Sequence, residues 1–154
     1  MSEMQRDPRE DAIVLLARRE YSVVELRERL ARHEHEPETI EQVLNALQAE
    51  GLQSDSRFAE QFLRSRVNRL QGPRRIEAEL RQRGIDQALI VTTLSESTVD
   101  WFALACQALR RRFDGPGNDR REQAKRLRFL ASRGFDGEQG YHALEHAWTS
   151  SEEL

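Results

Sequence analysis

FAEQFLRSRVNRLQGPRRIEAELRQRGI, residues 58–85, is the stretch from which the fold can be argued. Its apolar residues recur at spacings of three and four, which is typical of amphipathic helices. Gly72-Pro73 interrupts this pattern, and proline is favoured at the first position of a helix, where no N–H has to be donated. Arg83-Gly84 ends it, because glycine readily adopts the left-handed conformation that closes many helices. The stretch therefore predicts two helices joined by a tight turn and followed by a stop.

The same region is strongly basic. Residues 57–83 contain eight arginines and three glutamates, a net charge of +5, whereas the whole chain carries −3. A second basic segment, residues 110–133, has nine basic and three acidic side chains, a net charge of +6. Positive segments in an acidic chain indicate a negatively charged partner. The two segments predict contact with an extended polyanion or with an acidic protein surface.

The composition favours a well-solvated helical protein. Of the 154 residues, 38% are hydrophobic, 33% are charged and only 6% are aromatic. Because no sustained apolar/polar alternation is present, we expect an all-α fold with thin cores. The single cysteine excludes an internal disulfide, no apolar run is long enough to cross a bilayer, and the acidic residues 1–11 do not resemble an export signal. We therefore expect a cytoplasmic protein without a membrane partner.

Capping residues divide the chain into nine predicted helices. Each predicted start offers a side-chain oxygen to the free N–H groups of the first turn, or a proline at the first position. Six of these starts have a second polar residue three positions on, the spacing of a capping box: Asp7 with Glu10, Ser22 with Glu25, Thr39 with Gln42, Ser97 with Asp100, Asp119 with Glu122 and Asp136 with Gln139. The predicted starts are Asp7-Pro8, Ser22, Pro37 with Thr39, Ser54-Asp55, Gly72-Pro73, Asp86, Ser97, Asp119 and Asp136.

The helices repeat in groups of three. Leu30, Leu80 and Leu130 each lie near the end of the second helix of a group, 50 residues apart. Leu80 and Leu130 are both followed by Arg-Gly, then an apolar residue and Asp, which predicts a glycine-closed turn and a capped third helix. A unit of this size is marginal alone, so neighbouring units should support each other. We expect three-helix repeats at residues 7–52, 53–96 and 97–149.

Local ion pairs could neutralise part of the first basic segment. Glu77 with Arg81 and Glu79 with Arg83 both have the i, i+4 spacing at which opposite charges meet on a helix. These two pairs would leave five arginines without a local partner, and guanidinium groups bind phosphate and carboxylate in a bidentate manner. The five are Arg64, Arg66, Arg69, Arg74 and Arg75.

The sequence contains no recognisable catalytic constellation, so we expect no cofactor, no metal and no enzymatic activity. Cys106 falls on the apolar side of its helix, which predicts packing rather than nucleophilic chemistry. His142 and His146 have a spacing that can chelate a metal, but no third ligand is evident, and a solvated helix face is the simpler interpretation. His33 and His35 lie in an acidic loop and are expected at the surface.

Several short motifs, read together, resemble a known protein family. They are LARREYS and EL at residues 16–22 and 25–26, RFA at 57–59, RSR at 64–66, GPRRI at 72–76, ELRQRGI at 79–85, RLRFL at 126–130 and RGF at 133–135. This combination resembles the RecX regulatory proteins, bacterial modulators of the RecA recombinase, and the resemblance covers residues 10–148. It implies tandem three-helix repeats in an elongated, curved arrangement.

The resemblance also implies a function. The protein would be a monomer lying in the groove of a RecA–DNA filament, where it would lower ATP hydrolysis, strand exchange and coprotease activity and so modulate recombination and the SOS response. It would contact the backbone of single- or double-stranded DNA, with weak affinity for DNA alone. The candidate contact residues are Arg64, Arg66, Arg69, Arg74, Arg75, Arg81, Arg110, Arg112, Arg120, Arg121, Lys125, Arg126 and Arg128.

Two other functions are compatible with parts of the pattern. A general nucleic-acid-binding repeat protein could inhibit recombination simply by masking DNA, and its binding would fall steeply with salt. The overall charge of −3 argues against that interpretation. A metal-dependent nuclease using the scattered acidic residues would show turnover that a chelator abolishes, but the sequence offers no paired carboxylates for it.

Overall fold

The computed structural model of the chain describes residues 7–149, and that range contains nine α-helices and no strand. The prediction of an all-α fold made of tandem three-helix repeats is confirmed. The helices are α1 (Pro8–Arg18), α2 (Val23–Arg32), α3 (Pro37–Ala49), α4 (Asp55–Asn68), α5 (Pro73–Gln82), α6 (Gln87–Ser95), α7 (Trp101–Arg112), α8 (Arg120–Arg133) and α9 (Gly137–His146).

Several of the nine predicted helix starts are confirmed by the capping hydrogen bonds of their side chains. The side chains of Asp7, Ser22, Asp119 and Asp136 each accept a bond from the backbone N–H three residues further on. Ser22 and Asp136 form complete capping boxes. These bonds satisfy N–H groups that an uncapped helix would leave without partners.

Two predicted starts are wrong in detail. The Ser97 hydroxyl donates to the carbonyl of Leu94 at 2.9 Å and therefore belongs to the end of α6. Asp100 caps α7 instead, accepting from the N–H of Ala103 at 3.1 Å. At α3 the cap position is Glu36, whose side chain makes no capping bond, so the proline at the first position marks this start rather than Thr39.

The chain folds into two compact units. The first comprises the residues up to Phe62 together with Leu80–Thr93, and the second comprises Leu63–Glu79 together with the residues from Leu94 onward. Helices α4, α5 and α6 therefore contribute residues to both units. The repeat boundaries predicted above are drawn from repetition in the sequence, whereas the two units are defined by contacts in space. The predicted boundaries therefore stay a prediction.

The first unit has a core formed by its three N-terminal helices, α1, α2 and α3, which pack against one another. The side chains of Leu26, Leu30 and Leu47 are fully buried there. Burying a leucine side chain contributes about 1.5–3 kcal/mol to folding. The regular spacing of these residues on α2 and α3 explains why the amphipathic pattern was a reliable guide.

The second unit has a core formed mainly by α7, α8 and α9. Leu109, Leu130 and Phe135 are buried in it, and Leu70, which follows α4, belongs to the same cluster. Cys106 is also buried here, as the sequence predicted, and desolvation by burial raises the pKa of its thiol above the usual value. A protonated, buried thiol is suited to packing rather than to nucleophilic attack.

The Arg-Gly turns have the predicted backbone geometry. Gly84 and Gly134 adopt φ angles of 87° and 104°, the left-handed region that glycine tolerates without steric cost. The corresponding turn in the first repeat lacks glycine, and Glu34 takes the left-handed conformation there with φ of 65°. The left-handed turn conformation is thus present in all three repeats, although the first repeat has no glycine at this position.

His35 does not lie at the surface as expected. Its side chain is only 6% exposed, and Nε2 lies 2.7 Å from Oδ2 of Asp11 on α1. The acidic character of the loop therefore did not indicate solvent exposure, because the ring finds an acidic partner 24 residues away. Within the part of the chain that the structure describes, no helix is long and apolar enough to span a membrane.

Candidate functional site

The structure places nearly all of the predicted contact residues in the second compact unit. Arg81 belongs to the first unit, and its guanidinium donates to Oε1 of Gln87 at 3.2 and 3.3 Å. The other twelve belong to the second unit, on α4, α5, α7 and α8 and in the turn that follows α4. They are Arg64, Arg66, Arg69, Arg74, Arg75, Arg110, Arg112, Arg120, Arg121, Lys125, Arg126 and Arg128.

Seven of these twelve have exposed side chains that form no ion pair within residues 7–149. An exposed guanidinium or ammonium group without an acidic neighbour can bind an external anion without first breaking an internal contact. The seven are Arg64, Arg69, Arg74, Arg120, Arg121, Lys125 and Arg128.

Arg66 and Arg75 are not free of local partners, which corrects the sequence-based expectation. Nε of Arg66 lies 2.8 Å from Oε1 of Glu79, and Nε of Arg75 lies 3.2 Å from Oε2. Partial burial acts to raise the pKa of Glu79, but the bonds from both arginines outweigh it and hold the pKa below its usual value. Glu79 therefore forms ion pairs with two arginines that were expected to lack a local partner and offsets part of their charge.

The expected pair between Glu79 and Arg83 does not form. Nη1 of Arg83 lies 3.1 Å from Oε2 of Glu25, which is 58 residues away in the sequence. Oε1 of Glu25 lies 3.4 Å from Arg19. Helical spacing alone suggested a local pair, whereas the tertiary fold offers Arg83 a partner that is only 15% exposed.

Three predicted residues of the third repeat are engaged within the unit. Nη1 of Arg110 donates to the carbonyl of Ala147 at 2.9 Å. Nε of Arg126 donates to the carbonyl of Gly115 at 2.7 Å, and its guanidinium lies 4.4 Å from the centre of the Phe113 ring. Arg112 lies 5.1 Å from the centre of the same ring. The contacts of Arg126 order the loop before α8, so we interpret this residue as mainly structural.

Four arginines surround a cleft of about 280 Å³ within the second unit. They are Arg69 after α4, Arg111 and Arg112 at the end of α7, and Arg133 at the end of α8. We call this site the arginine cleft. Leu70, Ala108 and Phe129 supply the apolar part of its lining, and no acidic side chain contributes to it.

Arg111 and Arg133 are absent from the set predicted from the sequence. The guanidinium of Arg133 donates to the backbone carbonyl of Arg69, which joins two turns that are 64 residues apart. Desolvation by burial, and then the nearby positive charge of Arg75, hold the pKa of Arg133 below its usual value. The signal that could have identified Arg133 is the repeated Arg-Gly motif, which places it at the position equivalent to Arg83.

The backbone of Leu70 is strained next to this cleft. It adopts φ of 62°, a left-handed conformation that costs a residue other than glycine on the order of 1–3 kcal/mol. Its N–H bonds to the carbonyl of Val67 at 2.9 Å, and its side chain is buried in the core of the unit. The conformation fixes the direction of the neighbouring Arg69 backbone, whose carbonyl holds Arg133.

A second cleft, of about 540 Å³, lies between α7 and α9. Phe102, Cys106 and His142 line it together with Asp100, Ala103 and Arg110. The rings of His142 and His146 stack with their centres 4.4 Å apart. Within residues 7–149 no three His, Cys, Asp or Glu side chains are grouped so that they could hold a metal ion.

Family models match three successive parts of the chain. The first three-helix domain of RecX matches residues 9–47, the second matches residues 54–94 and the third matches residues 98–144. These ranges follow the same order as α1–α3, α4–α6 and α7–α9.

Relatives and solved structures agree with these matches. The chain is 56% identical to the regulatory protein RecX of Chromohalobacter salexigens over 98% of its own length and 99% of the relative's. It is 48% identical to that of Halorhodospira halophila over 85% and 82% of the two chains. The crystal structure of RecX from Lactobacillus salivarius superposes with a TM-score of 0.82 at 19% identity, covering 96% of this chain and 98% of that one.

Proposed function

The chain belongs to the RecX family, and from this premise we propose that it is a non-enzymatic regulator of a RecA-type recombinase. It binds the recombinase–DNA filament and inhibits ATP hydrolysis, strand exchange and coprotease activity, thereby modulating recombination and the SOS response. Because the filament forms on chromosomal DNA, this function places the protein in the cytoplasm. Partner binding, rather than chemistry on a substrate, is the activity that the surface is suited to.

The observation that carries this proposal beyond family membership is the distribution of unpaired positive charge. Seven exposed basic side chains of the second unit form no ion pair within residues 7–149. In contrast, Arg9, Arg27 and Arg57 of the first unit each bond to a glutamate at 2.5–2.6 Å. The second unit therefore supplies the electrostatic contacts to a filament, whose DNA backbone and acidic side chains are both negatively charged.

A second candidate function is inhibition by masking DNA without contacting the recombinase. The arginine cleft favours it, because a cleft lined by four guanidinium groups can bind phosphate unaided. The net charge of −3 opposes it, because long-range repulsion weakens non-specific binding to a polyanion. The two functions predict different effects of added free DNA: it should relieve inhibition that is due to masking, but not inhibition that is due to binding the recombinase filament.

A titration of recombinase ATP hydrolysis separates them. The chain is added to the recombinase on single-stranded DNA, with a parallel series that contains excess competitor DNA. We expect inhibition at less than one chain per recombinase monomer and no relief by the competitor. Relief by the competitor would establish masking instead, and the absence of inhibition at equimolar protein would refute both functions.

A pair of charge reversals then tests the role of the second unit. Arg64→Glu combined with Arg74→Glu reverses two exposed side chains that have no ion pair to lose within the described range. We expect this variant to weaken inhibition by about 1–3 kcal/mol, the usual contribution of hydrogen bonds to charged groups.

The matched control combines Arg18→Glu with Arg32→Glu, which makes the same change in net charge on exposed arginines of the first unit. Helix content measured by circular dichroism should be retained in both variants. Equal loss of inhibition in the control would show that overall charge, and not the second unit, is responsible.

A further inference from the structure

Each compact unit contains the same kind of junction between an Arg-Gly turn and a helix start. In the first unit the hydroxyl of Ser22 donates to the carbonyl of Arg83 at 2.7 Å. In the second unit the N–H of Gly72 donates to the carbonyl of Arg133, also at 2.7 Å. Ser22 and Gly72 are 50 residues apart, as are Arg83 and Arg133. The two junctions are therefore equivalent, and their charges can be compared position by position.

The first junction places one acidic residue between two arginines. Glu25 lies 3.1 Å from Nη1 of Arg83 and 3.4 Å from Nη1 of Arg19, so it bonds to both arginines at once. The Glu25 side chain is only 15% exposed, whereas those of Arg83 and Arg19 are 37% and 46% exposed. The carboxylate therefore offsets part of the positive charge of these two arginines.

The second junction carries the opposite charge at that position. Fifty residues after Glu25 the chain has Arg75, while Arg69 and Arg133 occupy the positions equivalent to Arg19 and Arg83. Both arginines are thus retained, but the acid that would neutralise them is replaced by another arginine. The proximity of Arg75 is one of the two causes that depress the pKa of Arg133.

Glu79 does not take over the role of Glu25. Oε1 of Glu79 bonds to Arg66 at 2.8 Å and Oε2 bonds to Arg75 at 3.2 Å, so both oxygens are engaged away from Arg133. Arg111 and Arg112 add two more positive charges to the arginine cleft, and its lining contains no acid. The four arginines that line the cleft form no ion pair within residues 7–149, so an anion that entered it would be attracted.

We propose that the arginine cleft binds phosphate groups of a single DNA strand. The inference rests on the proposed function only for its choice of DNA as the source of phosphate. The four arginines that line the cleft come from three separate segments: the turn after α4, the end of α7 and the end of α8. They can therefore approach a tetrahedral phosphate from several sides, whereas a planar carboxylate is satisfied by one bidentate arginine.

The surroundings of the cleft favour a strand over an isolated anion. Arg75 lies close enough to Arg133 to affect its pKa, and the N–H of Arg74 bonds to the carbonyl of Gly134 at 3.0 Å. Positive charge therefore continues from the cleft to the start of α5, where the side chain of Arg74 is exposed. Positive charges that extend beyond the cleft in this way can contact successive phosphates of a strand.

The test is direct DNA binding by the full chain in the absence of recombinase. A fluorescein-labelled 20-mer of thymidine is titrated by anisotropy at several salt concentrations. The cleft variant combines Arg69→Gln with Arg111→Gln, which are exposed and have no ion pair within residues 7–149. The control combines Arg18→Gln with Arg32→Gln, two exposed arginines of the first unit.

We expect the cleft variant to lose at least about tenfold in affinity, and the slope of log K against log salt to become shallower by about 1.4, because about 0.7 is lost per phosphate contact on a single strand. The control should stay within about twofold of the original chain. A labelled 20-residue polyglutamate serves as a second probe, and its weaker binding should change little in the cleft variant.

Four outcomes would overturn the inference. They are no binding of the thymidine strand by the original chain at low salt, equal binding by the original chain and the cleft variant, equal loss in the control, and a loss for polyglutamate as large as that for DNA. The last outcome would assign the cleft to an acidic protein surface. Since no recombinase is present, none of these outcomes decides whether the chain regulates a filament, which the ATP hydrolysis titration measures separately.

Discussion

Replacing Gly72 with alanine should disrupt the junction between α5 and the turn after α8. Gly72 does not have a left-handed φ angle, so the effect of the substitution is purely steric. An added Cβ would lie 2.4 Å from the carbonyl carbon of Gly134, 2.5 Å from its oxygen and 2.6 Å from the nitrogen of Phe135. Carbon atoms pack at about 3.5–4.0 Å, so the two turns would have to separate by about 1 Å or more.

The cost of that separation can be worked out from the bonds it breaks. The N–H of Gly72 bonds to the carbonyl of Arg133 at 2.7 Å, and the N–H of Arg74 bonds to that of Gly134 at 3.0 Å. Each contributes about 1 kcal/mol net, and the strain of overpacking adds about 1–3 kcal/mol. Gly72→Ala should therefore lower the free energy of unfolding by about 3–5 kcal/mol.

Urea denaturation followed by circular dichroism measures this change. Gly137→Ala is the matched control, because an added Cβ at Gly137 would meet no atom within 4 Å. It should change the free energy of unfolding by no more than about 0.5 kcal/mol. A loss of less than about 1 kcal/mol in Gly72→Ala, or an equal loss in the control, would refute the argument that backbone contact at this junction requires glycine.

Three further predictions concern single side chains. Ser22→Ala removes both the N-cap of α2 and the bond to the carbonyl of Arg83, and it should lower the free energy of unfolding in urea by about 1–3 kcal/mol. Leu130→Ala empties a fully buried position of the second core, and calorimetry should show a loss of about 2–5 kcal/mol, against almost none for Val91→Ala at an exposed position. Because the pKa of Glu79 is lowered in the folded state, its stabilising contribution is present above the unfolded value of about 4.3 and is lost as the pH falls through the folded value. Glu79→Gln should therefore be less stable than the original chain at neutral pH, and the difference in stability should shrink only as the pH falls below the unfolded value and through the lower folded value. A difference that stays constant through that fall would contradict the assignment.

The sequence was most informative where local chemistry decides the structure. A capping box such as Ser22 with Glu25 involves residues three apart, so its geometry follows once the helix forms. The same holds for Gly84 and Gly134, since the left-handed turn needs the conformational freedom of glycine. The all-α fold and the repeats are confirmed because they rest on many such local signals that agree with each other.

The pairing of charges could not be predicted in the same way. Arg83 has a glutamate at helical spacing, yet it bonds to Glu25, because the tertiary fold brings a less exposed carboxylate closer. Arg66 likewise finds Glu79 across a turn, 13 residues further along the chain. Long side chains choose among several partners of similar energy, and distances set by packing decide between them.

By itself the sequence determined the helices, several of their caps, the three-helix periodicity and the family, because each depends on neighbouring residues or on a recognisable order of motifs. Only the tertiary structure decided which arginines remain available to a partner. In the folded chain Arg66 and Arg75 pair with Glu79, and Arg126 bonds to the carbonyl of Gly115. Arg69 and Arg133, which are 64 residues apart in the sequence, lie together in the arginine cleft. The physical reason is that the sequence gives the net charge of a segment, whereas the neutralisation of one charged side chain depends on an opposite charge within a few ångströms of it in space.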